Sequence, residues 1–217
     1  NLQKVMKTIP RSLTWPIGPS DILEGALAHF DVVIFPGGSG SKQAAALGIK
    51  GRDKVRAFVK HGGGFIGICA GAYLAAANYS WSLKLCDYNT FCEAREISGV
   101  GRKSMWYRGP SSTVTMQLTP AGNEIFGHGG EPLKVRYHNG PIVSRAGIPE
   151  LSDYQVLAWF RSEVSRYETQ RGTMINTPAI VSGKFGKGRV LSISPHPESS
   201  QNLHPLVARA IRWAGGP

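Results

Sequence analysis

A short apolar run and an alanine-rich run meet at a single cysteine, Cys69. Residues 65–68 have the composition of a buried strand, and residues 70–77 are rich in alanine, which favours helix. Gly67 and Gly71 flank the cysteine on either side. Because glycines relieve crowding at a sharp turn, the pattern predicts a strand, a tight turn at Cys69 and a helix.

A cysteine in such a turn would lie at the carboxyl end of the strand and face the first N–H groups of the helix. That helix terminus favours thiolate over thiol, so Cys69 is a candidate nucleophile. The structural alternative is a small apolar core cysteine, which is the usual place of a free cysteine. The two glycines and the change from strand to helix favour the nucleophile.

A second apolar run, residues 31–35, ends in the glycine-rich loop 36–40. A continuous apolar run is typical of a parallel strand buried on both faces. The glycines would let backbone N–H groups approach a ligand and face a developing negative charge. Ligands of parallel α/β sheets bind at the carboxyl ends of the strands, so we expect this loop and Cys69 to border one crevice.

Strands and helices alternate in the first third of the chain and again at its end. This order predicts an α/β fold with a doubly wound, mostly parallel sheet, and since the chain opens on a helix we also expect a first strand that is absent from the sequence. The further predicted elements are helices over 1–9, 22–29, 51–61 and 203–214, a strand over 12–17 and a hairpin over 178–191.

The middle of the chain has short β-prone segments separated by turn signals. The predicted strands are 91–97, Ser112–Leu118, Leu133–Tyr137 and Gln155–Phe160. We interpret them as hairpins added to the same domain, so that residues 1–217 form a single domain. Residues 137–141 predict a turn, with a pocket border as the weaker alternative.

Composition excludes some function classes. The 25 Lys and Arg residues against 14 Asp and Glu residues give a net charge of +11. These charges are scattered and match no nucleic-acid motif, so we expect a solvated basic surface and no specific nucleic-acid partner. The apolar runs are too short to span a bilayer, and no signal peptide is visible, which predicts no membrane partner.

Three cysteines do not make a disulfide framework. Cys86 and Cys92 could pair, which would leave Cys69 free, and their spacing predicts no zinc site and no metal cofactor. A free thiol suits a reducing compartment, so we expect a cytoplasmic location, although the start at Asn1 leaves room for an upstream signal segment.

His196 and Glu198 follow the last predicted strand in the stretch Pro195-His196-Pro197-Glu198. In extended chain, residues two apart project to the same side, and proline fixes the backbone between them. The glutamate could then hold one ring nitrogen while the other faces a nucleophile, as in a catalytic triad.

These motifs together resemble the class I glutamine amidotransferase-like superfamily. The residues that carry the resemblance are Phe35-Pro36-Gly37-Gly38, Gly67-Ile68-Cys69-Ala70-Gly71 and Ser194-Pro195-His196-Pro197-Glu198. The sequence around Cys69 is most similar to the biotin–protein ligase N-terminal-domain-like branch.

The resemblance implies a flavodoxin-like sheet with helices on both faces and a Cys-His-Glu triad. Cys69 would be the nucleophile, His196 the base and acid, and Glu198 the residue that orients it. The backbone N–H groups of Gly38 and Ala70 would form the oxyanion hole. We further expect Gly37, Tyr73 and Asn139 to contact substrate; typical glutaminases carry Gln where this chain has Tyr73.

The sequence therefore predicts a thiol-dependent amide hydrolase or amidotransferase without a cofactor. Its expected partners are a small-molecule carboxamide substrate and an acceptor subunit for the released ammonia. Two alternatives remain open: a catalytically silent binding module on the same scaffold, and a redox or aldehyde-handling thiol protein.

Overall fold

The computed structural model describes residues 2–7, 9–10 and 12–216. The helices of this part are α1 (Leu2–Met6), α2 (Pro19–Glu24), α3 (Gly40–Lys60), α4 (Ala70–Ala75), α5 (Pro120–Phe126) and α6 (His204–Gly215). Short 3-10 turns cover Ala26–His29, Glu168–Gln170, Pro197–Ser199 and Gln201–Leu203. The strands are β1 (Val32–Phe35), β2 (Gly64–Ile68), β3 (Tyr88–Thr90), β4 (Ala94–Ile97), β5 (Gly101–Ser104), β6 (Ser112–Leu118), β7 (Leu133–Tyr137), β8 (Val143–Arg145), β9 (Gln155–Phe160), β10 (Pro178–Phe185) and β11 (Gly188–Ile193).

Seven strands form the main sheet, in the order β1-β2-β11-β10-β9-β6-β7. β2 pairs in parallel with β1 and β11, and the other neighbours pair antiparallel. β1, β2, β11, β9 and β7 therefore all run in one direction, with β10 and β6 reversed between them. This arrangement confirms the predicted α/β sheet, and the β3–β8 and β4–β5 pairs are additions to it.

Helices cover both faces of the sheet. On one face, apolar residues of α5 and α6 pack with Ile66 and Ile68 of β2. On the other face, residues of α2, α3 and α4 pack with Val33, Phe35 and Phe65. All five residues of β2 are buried because this strand lies between two neighbours and two helical layers.

Several predicted elements are confirmed. β6, β7 and β9 have the predicted bounds, and the predicted hairpin corresponds to β10 and β11. The closing helix is α6. The helix predicted over 1–9 is present as α1 but ends at Met6, since Lys7 and Ile9 are not helical; Asn1 and Thr8 lie outside the described residues.

Other predictions were wrong in type or extent. The strand predicted over 12–17 does not form: Leu13 is 99% exposed and Trp15 74% exposed, with no neighbouring strand. The helix predicted over 22–29 is split by Gly25, whose φ of 98° is left-handed. The helix predicted over 51–61 is the second part of α3, which begins at Gly40 and is interrupted at Gly48.

Three smaller differences concern α4, α5 and the cysteines. α4 ends at Ala75, because Ala76 is extended. α5 was not predicted. Cys86 and Cys92 do not pair, and all three cysteines are free thiols. The strand expected ahead of α1 stays a prediction.

Candidate active site

Cys69 lies at the junction between β2 and α4. Its φ of 51° and ψ of −98° are unusual for a residue with a side chain and match a sharp strand-to-helix turn. The flanking glycines are required sterically: a Cβ at Gly67 would overlap the backbone of Gly71, and a Cβ at Gly71 would overlap the carbonyl of Phe35. The turn that the sequence predicts is therefore present.

Cys69 is 6% exposed, and its thiol lies against the turn between β7 and β8. Its Sγ donates to the carbonyl oxygen of His138 at 3.4 Å. The backbone N–H of Cys69 donates to Ile193 O at 2.8 Å, which ties the turn to the end of β11. Since His196 follows β11 closely, the same strand pair brings both candidate residues to one edge of the sheet.

His196 and Glu198 form a buried pair. Nδ1 of His196 lies 2.7 Å from Oε1 of Glu198, and the residues are 7% and 8% exposed. The backbone N–H of His196 donates to Arg136 O at 2.8 Å, so the end of β7 anchors the segment. We expected extended backbone here, but Pro197–Ser199 is a 3-10 turn. The pair forms because the turn folds the carboxylate back onto the ring.

Burial alone would lower the pKa of His196, but its neighbours outweigh burial. Cys69 and Glu198 favour the imidazolium, and together they raise the pKa of His196 from 6.5 to about 9. Nε2 of His196 is buried and has no hydrogen-bond partner among the described residues, and the same holds for Oε2 of Glu198. The carboxylate therefore fixes Nδ1 as a donor and leaves Nε2 available for proton transfer.

The loop between β1 and α3 lies against Cys69 and His196. A Cβ at Gly37 would come 2.7 Å from Cε1 of His196 and 3.7 Å from Cβ of Cys69. A Cβ at Gly40 would come 3.0 Å from Ala70 O, so the starts of α3 and α4 are in close contact. Gly38, between them, has a φ of 139°.

This packing brings the two predicted oxyanion-hole segments, loop 36–39 and the start of α4, to one place. No backbone N–H bond of Gly38 or Ala70 to an acceptor is present in the described part of the chain. Free N–H groups beside a nucleophile can stabilise an oxyanion.

Tyr73 and Asn139 contact each other. The half-buried Tyr73 donates its hydroxyl to Asn139 O at 3.1 Å, and burial raises the pKa of Tyr73 well above its usual value. Oδ1 of Asn139 accepts from Arg108 N at 2.7 Å, and its Nδ2 donates to Gly109 O at 3.0 Å. The amide of Asn139 is thus occupied by the neighbouring loop, and substrate contacts of Gly37, Tyr73 and Asn139 stay predictions.

For residues 137–141 the sequence predicted a turn, with a pocket border as the weaker alternative. The structure shows a turn that also borders the nucleophile. Its Asn-Gly pair was the available signal, since Asn139 has a left-handed φ of 57°. The carbonyl of His138 and the hydroxyl of Tyr137 were not predicted as part of the site. A backbone carbonyl carries no residue-type signal.

The described residues contain a cleft apart from this site, but no metal-binding cluster and no membrane-spanning helix. No cluster of three or more His, Cys, Asp or Glu residues in the described ranges is arranged to hold a metal ion. A cleft of about 520 Å³ lies at the amino ends of β1 and β2 and contains none of the site residues. Of the helices described, none has the length and apolar character that crossing a membrane requires.

Comparisons with solved structures find the same fold in proteins of low sequence identity. The cytoplasmic protein STM1381 from Salmonella typhimurium LT2 is 12% identical, with a TM-score of 0.60 over 98% of this chain and 85% of that one. A ThuA-like protein from Parabacteroides merdae is 13% identical, with a TM-score of 0.53 over 99% and 84%. At such identities the likeness shows the fold alone.

The chain also aligns with one part of larger enzymes. A β-galactosidase from Bacillus circulans sp. alkalophilus is 15% identical, with a TM-score of 0.50 over 87% of this chain and 23% of that one. This chain spans 22% of a second β-galactosidase, from Rahnella sp. R3. A search of curated proteins found no match.

The sequence itself matches a family pattern over most of its length. The pattern described as biotin-protein ligase, N terminal, matches residues 27–211. That span runs from the segment before β1 into α6 and includes Cys69, His196 and Glu198. The chain therefore belongs to the biotin-protein ligase N-terminal family, within the class I glutamine amidotransferase-like fold.

Proposed function

We propose that this chain is a thiol-dependent amide hydrolase that acts on a carboxamide. The observation that carries the proposal is the convergence of a sharply turned cysteine and a buried His-Glu pair at one edge of the sheet. A core cysteine needs neither the unusual backbone angles of Cys69 nor a histidine beside it. Family membership and fold agree with the proposal at a coarser level.

The first half-reaction forms a thioester. Sγ of Cys69 attacks the carbonyl carbon of the amide after its proton has passed to Nε2 of His196. The oxyanion accepts hydrogen bonds from the N–H groups of Gly38 and Ala70. The C–N bond then breaks, and Nε2 returns the proton to the departing ammonia or amine.

The second half-reaction restores the thiol. Nε2 takes a proton from water, the resulting hydroxide attacks the thioester carbon, and the C–S bond breaks. The carboxylic acid leaves and Cys69 regains its proton. Glu198 stays ionised throughout and stabilises the imidazolium that forms in each half. Because Cys69 and Glu198 raise the pKa of His196 to about 9, the thiol proton has already passed to His196 at neutral pH when Sγ attacks.

Turnover of simple and γ-glutamyl carboxamides, measured as released ammonia, tests the proposal. We expect Cys69→Ala to abolish turnover and His196→Asn to reduce it by roughly 10²- to 10⁴-fold. Cys92→Ala is the matched control, because that thiol lies outside the proposed machinery and its loss should leave turnover unchanged. Normal turnover by folded Cys69→Ala would overturn the proposal. Sulfenate formation at Cys69 without amide hydrolysis would favour a redox role.

A further inference from the structure

The turn between β7 and β8 presents three successive carbonyl groups to donors around the nucleophile. The carbonyl of His138 accepts from Sγ of Cys69 at 3.4 Å. The carbonyl of Asn139 accepts from the hydroxyl of Tyr73 at 3.1 Å, and that of Gly140 from the hydroxyl of Tyr137 at 2.8 Å. Two tyrosine hydroxyls thus hold the turn on the side next to His138.

Further contacts fix the turn from its other side. The Asn139 side chain binds both Arg108 N and Gly109 O. Gly140 packs so closely on Ser194 that a Cβ there would overlap the Ser194 carbonyl. Since the backbone has little room to move, the orientation of the His138 carbonyl is preorganised.

The His138 carbonyl needs a new donor once the thiol has lost its proton. The neutral thiol can donate to this carbonyl at 3.4 Å, but Cys69 also favours the imidazolium form of His196, which holds the thiol proton during catalysis. With that proton on His196, the carbonyl oxygen faces the sulfur without a donor. A hydrogen-bond donor on the substrate would supply one.

We propose that the His138 carbonyl binds the N–H of the scissile amide, so that the site selects N–H-bearing amides over esters and tertiary amides. This inference rests on the proposed function. As the amide N–H binds this carbonyl, Sγ attacks the amide carbon with its proton held on Nε2 of His196; the S–C bond forms and the π electrons of the C=O bond move onto oxygen, which becomes the oxyanion. Tyr73 and Tyr137 are positioning residues, because they act through the backbone of the turn.

Two electrophiles of equal size test the selection without knowledge of the substrate. N-methyl-iodoacetamide carries an N–H where methyl iodoacetate carries an oxygen. With both, the S–C bond forms, iodide leaves and the thiol proton passes to Nε2. Rates at Cys69 are read by peptide mass spectrometry, and each rate is divided by that of glutathione to remove intrinsic reactivity.

After this correction we expect Cys69 to react about tenfold faster with the amide reagent than with the ester reagent. A tenfold ratio corresponds to the net contribution of about one hydrogen bond. Tyr73→Phe and Tyr137→Phe should each reduce the preference toward that of glutathione, with Cys69 still reactive. Tyr154→Phe is the matched control and should keep the full preference. Its ring packs against Tyr88 and Arg145, and its hydroxyl binds none of the turn carbonyls in the described part of the chain.

The outcomes separate the inference from the proposed function. If Cys69 reacts faster than Cys92 with both reagents but shows no corrected preference, selection by the His138 carbonyl is wrong and the nucleophile stands. If Cys69 is slower than Cys92 with both, the proposed function itself fails. A full preference retained in both tyrosine variants would refute their positioning role.

Discussion

At Cys69 the backbone adopts a conformation that glycine accommodates more easily than cysteine. With φ at 51° and ψ at −98°, the backbone at Cys69 is strained, and we attribute this strain to the sharp turn. Strain of this kind is commonly found where geometry serves a reaction. Here the turn places Cys69, which stays buried, against the carbonyl of His138.

This strain predicts an unusual order of stability between two variants. In an ordinary position glycine is less stable than alanine by about 0.5–1 kcal/mol. At Cys69 we expect Cys69→Gly to be at least as stable as Cys69→Ala, since glycine relieves the strain that alanine keeps. Urea denaturation of the two proteins measures the difference. If Cys69→Gly is less stable than Cys69→Ala by about 0.5–1 kcal/mol, the turn is unstrained.

The His196 pKa predicts a stability that depends on pH. Because Cys69 and Glu198 raise it to about 9 in the fold against 6.5 ordinarily, protonation of His196 stabilises the folded state. The stabilisation is complete below about pH 6.5 and is lost as the pH rises through about 9. Its size is on the order of 3 kcal/mol, since one pKa unit corresponds to about 1.4 kcal/mol.

Denaturation of the wild type and His196→Asn from pH 6 to pH 10 measures this contribution. We expect the wild type to lose more stability across that range than the variant does. The loss of stability in Glu198→Gln should lie between those of the wild type and His196→Asn, because one of the two groups that raise the pKa of His196 is gone. Equal pH dependence in wild type and His196→Asn would contradict the assignment.

At the scale of elements, the loop between β1 and α3 is fitted to the histidine ring. Gly37→Ala would place a methyl group 2.7 Å from Cε1 of His196, so the ring must move away from Glu198 or Cys69. We expect amide turnover to fall at least tenfold, with the fold retained, because misplacement of a catalytic group by about 1 Å is costly. Turnover and circular dichroism together measure this.

Gly129→Ala is the matched control for Gly37→Ala. A Cβ at Gly129 meets nothing within 4 Å, and its loop is remote from the site. Its turnover should be unchanged. Full activity of Gly37→Ala would mean that the ring does not need its present position.

A buried arginine connects the site turn to the loop of residues 163–173. Arg108 is 1% exposed, and its guanidinium donates to Val164 O at 2.7 Å, Thr173 Oγ1 at 3.0 Å and Gln170 O at 3.0 Å. Burial lowers its pKa. Since the Arg108 N–H also binds Asn139, the loop and the site turn share one anchor.

Arg108→Ala should therefore destabilise the fold by about 3 kcal/mol, because buried acceptors lose their donor. Arg95→Ala is the comparison: its ion pair with Glu93 is exposed, so we expect a change below about 0.5 kcal/mol. Thermal or urea denaturation measures both. Equal effects in the two variants would contradict the anchoring role.

The elements that sequence patterns predicted well are those defined by a local pattern between turn signals. β6 and β7 have the predicted bounds because apolar and polar residues alternate along them, and β9 because it is a short β-prone apolar run. α5 was missed although its signals were present: Thr119 caps it, Pro120 begins it and Gly127 ends it. The strand predicted over 12–17 failed because β propensity needs a paired neighbour, which those residues lack.

At the scale of the whole molecule, long-range order was less predictable than local order. The sequence indicated that loop 36–40 and Cys69 lie at carboxyl ends of parallel strands, and the parallel pairing of β1, β2 and β11 brings them together. The antiparallel half of the sheet, and the approach of the 138–140 turn to Cys69, depend on pairings between distant segments. No local pattern encodes those pairings.

The most direct measurement is the rate at which a small electrophile modifies Cys69 relative to Cys92, by peptide mass spectrometry. Cys69 is the more buried of the two, so exposure alone would make it the slower. If His196 activates it, Cys69 should react at least about tenfold faster than Cys92 at neutral pH, and His196→Asn should remove that advantage. A Cys69 that reacts more slowly than Cys92, with or without His196, would contradict its role as the nucleophile.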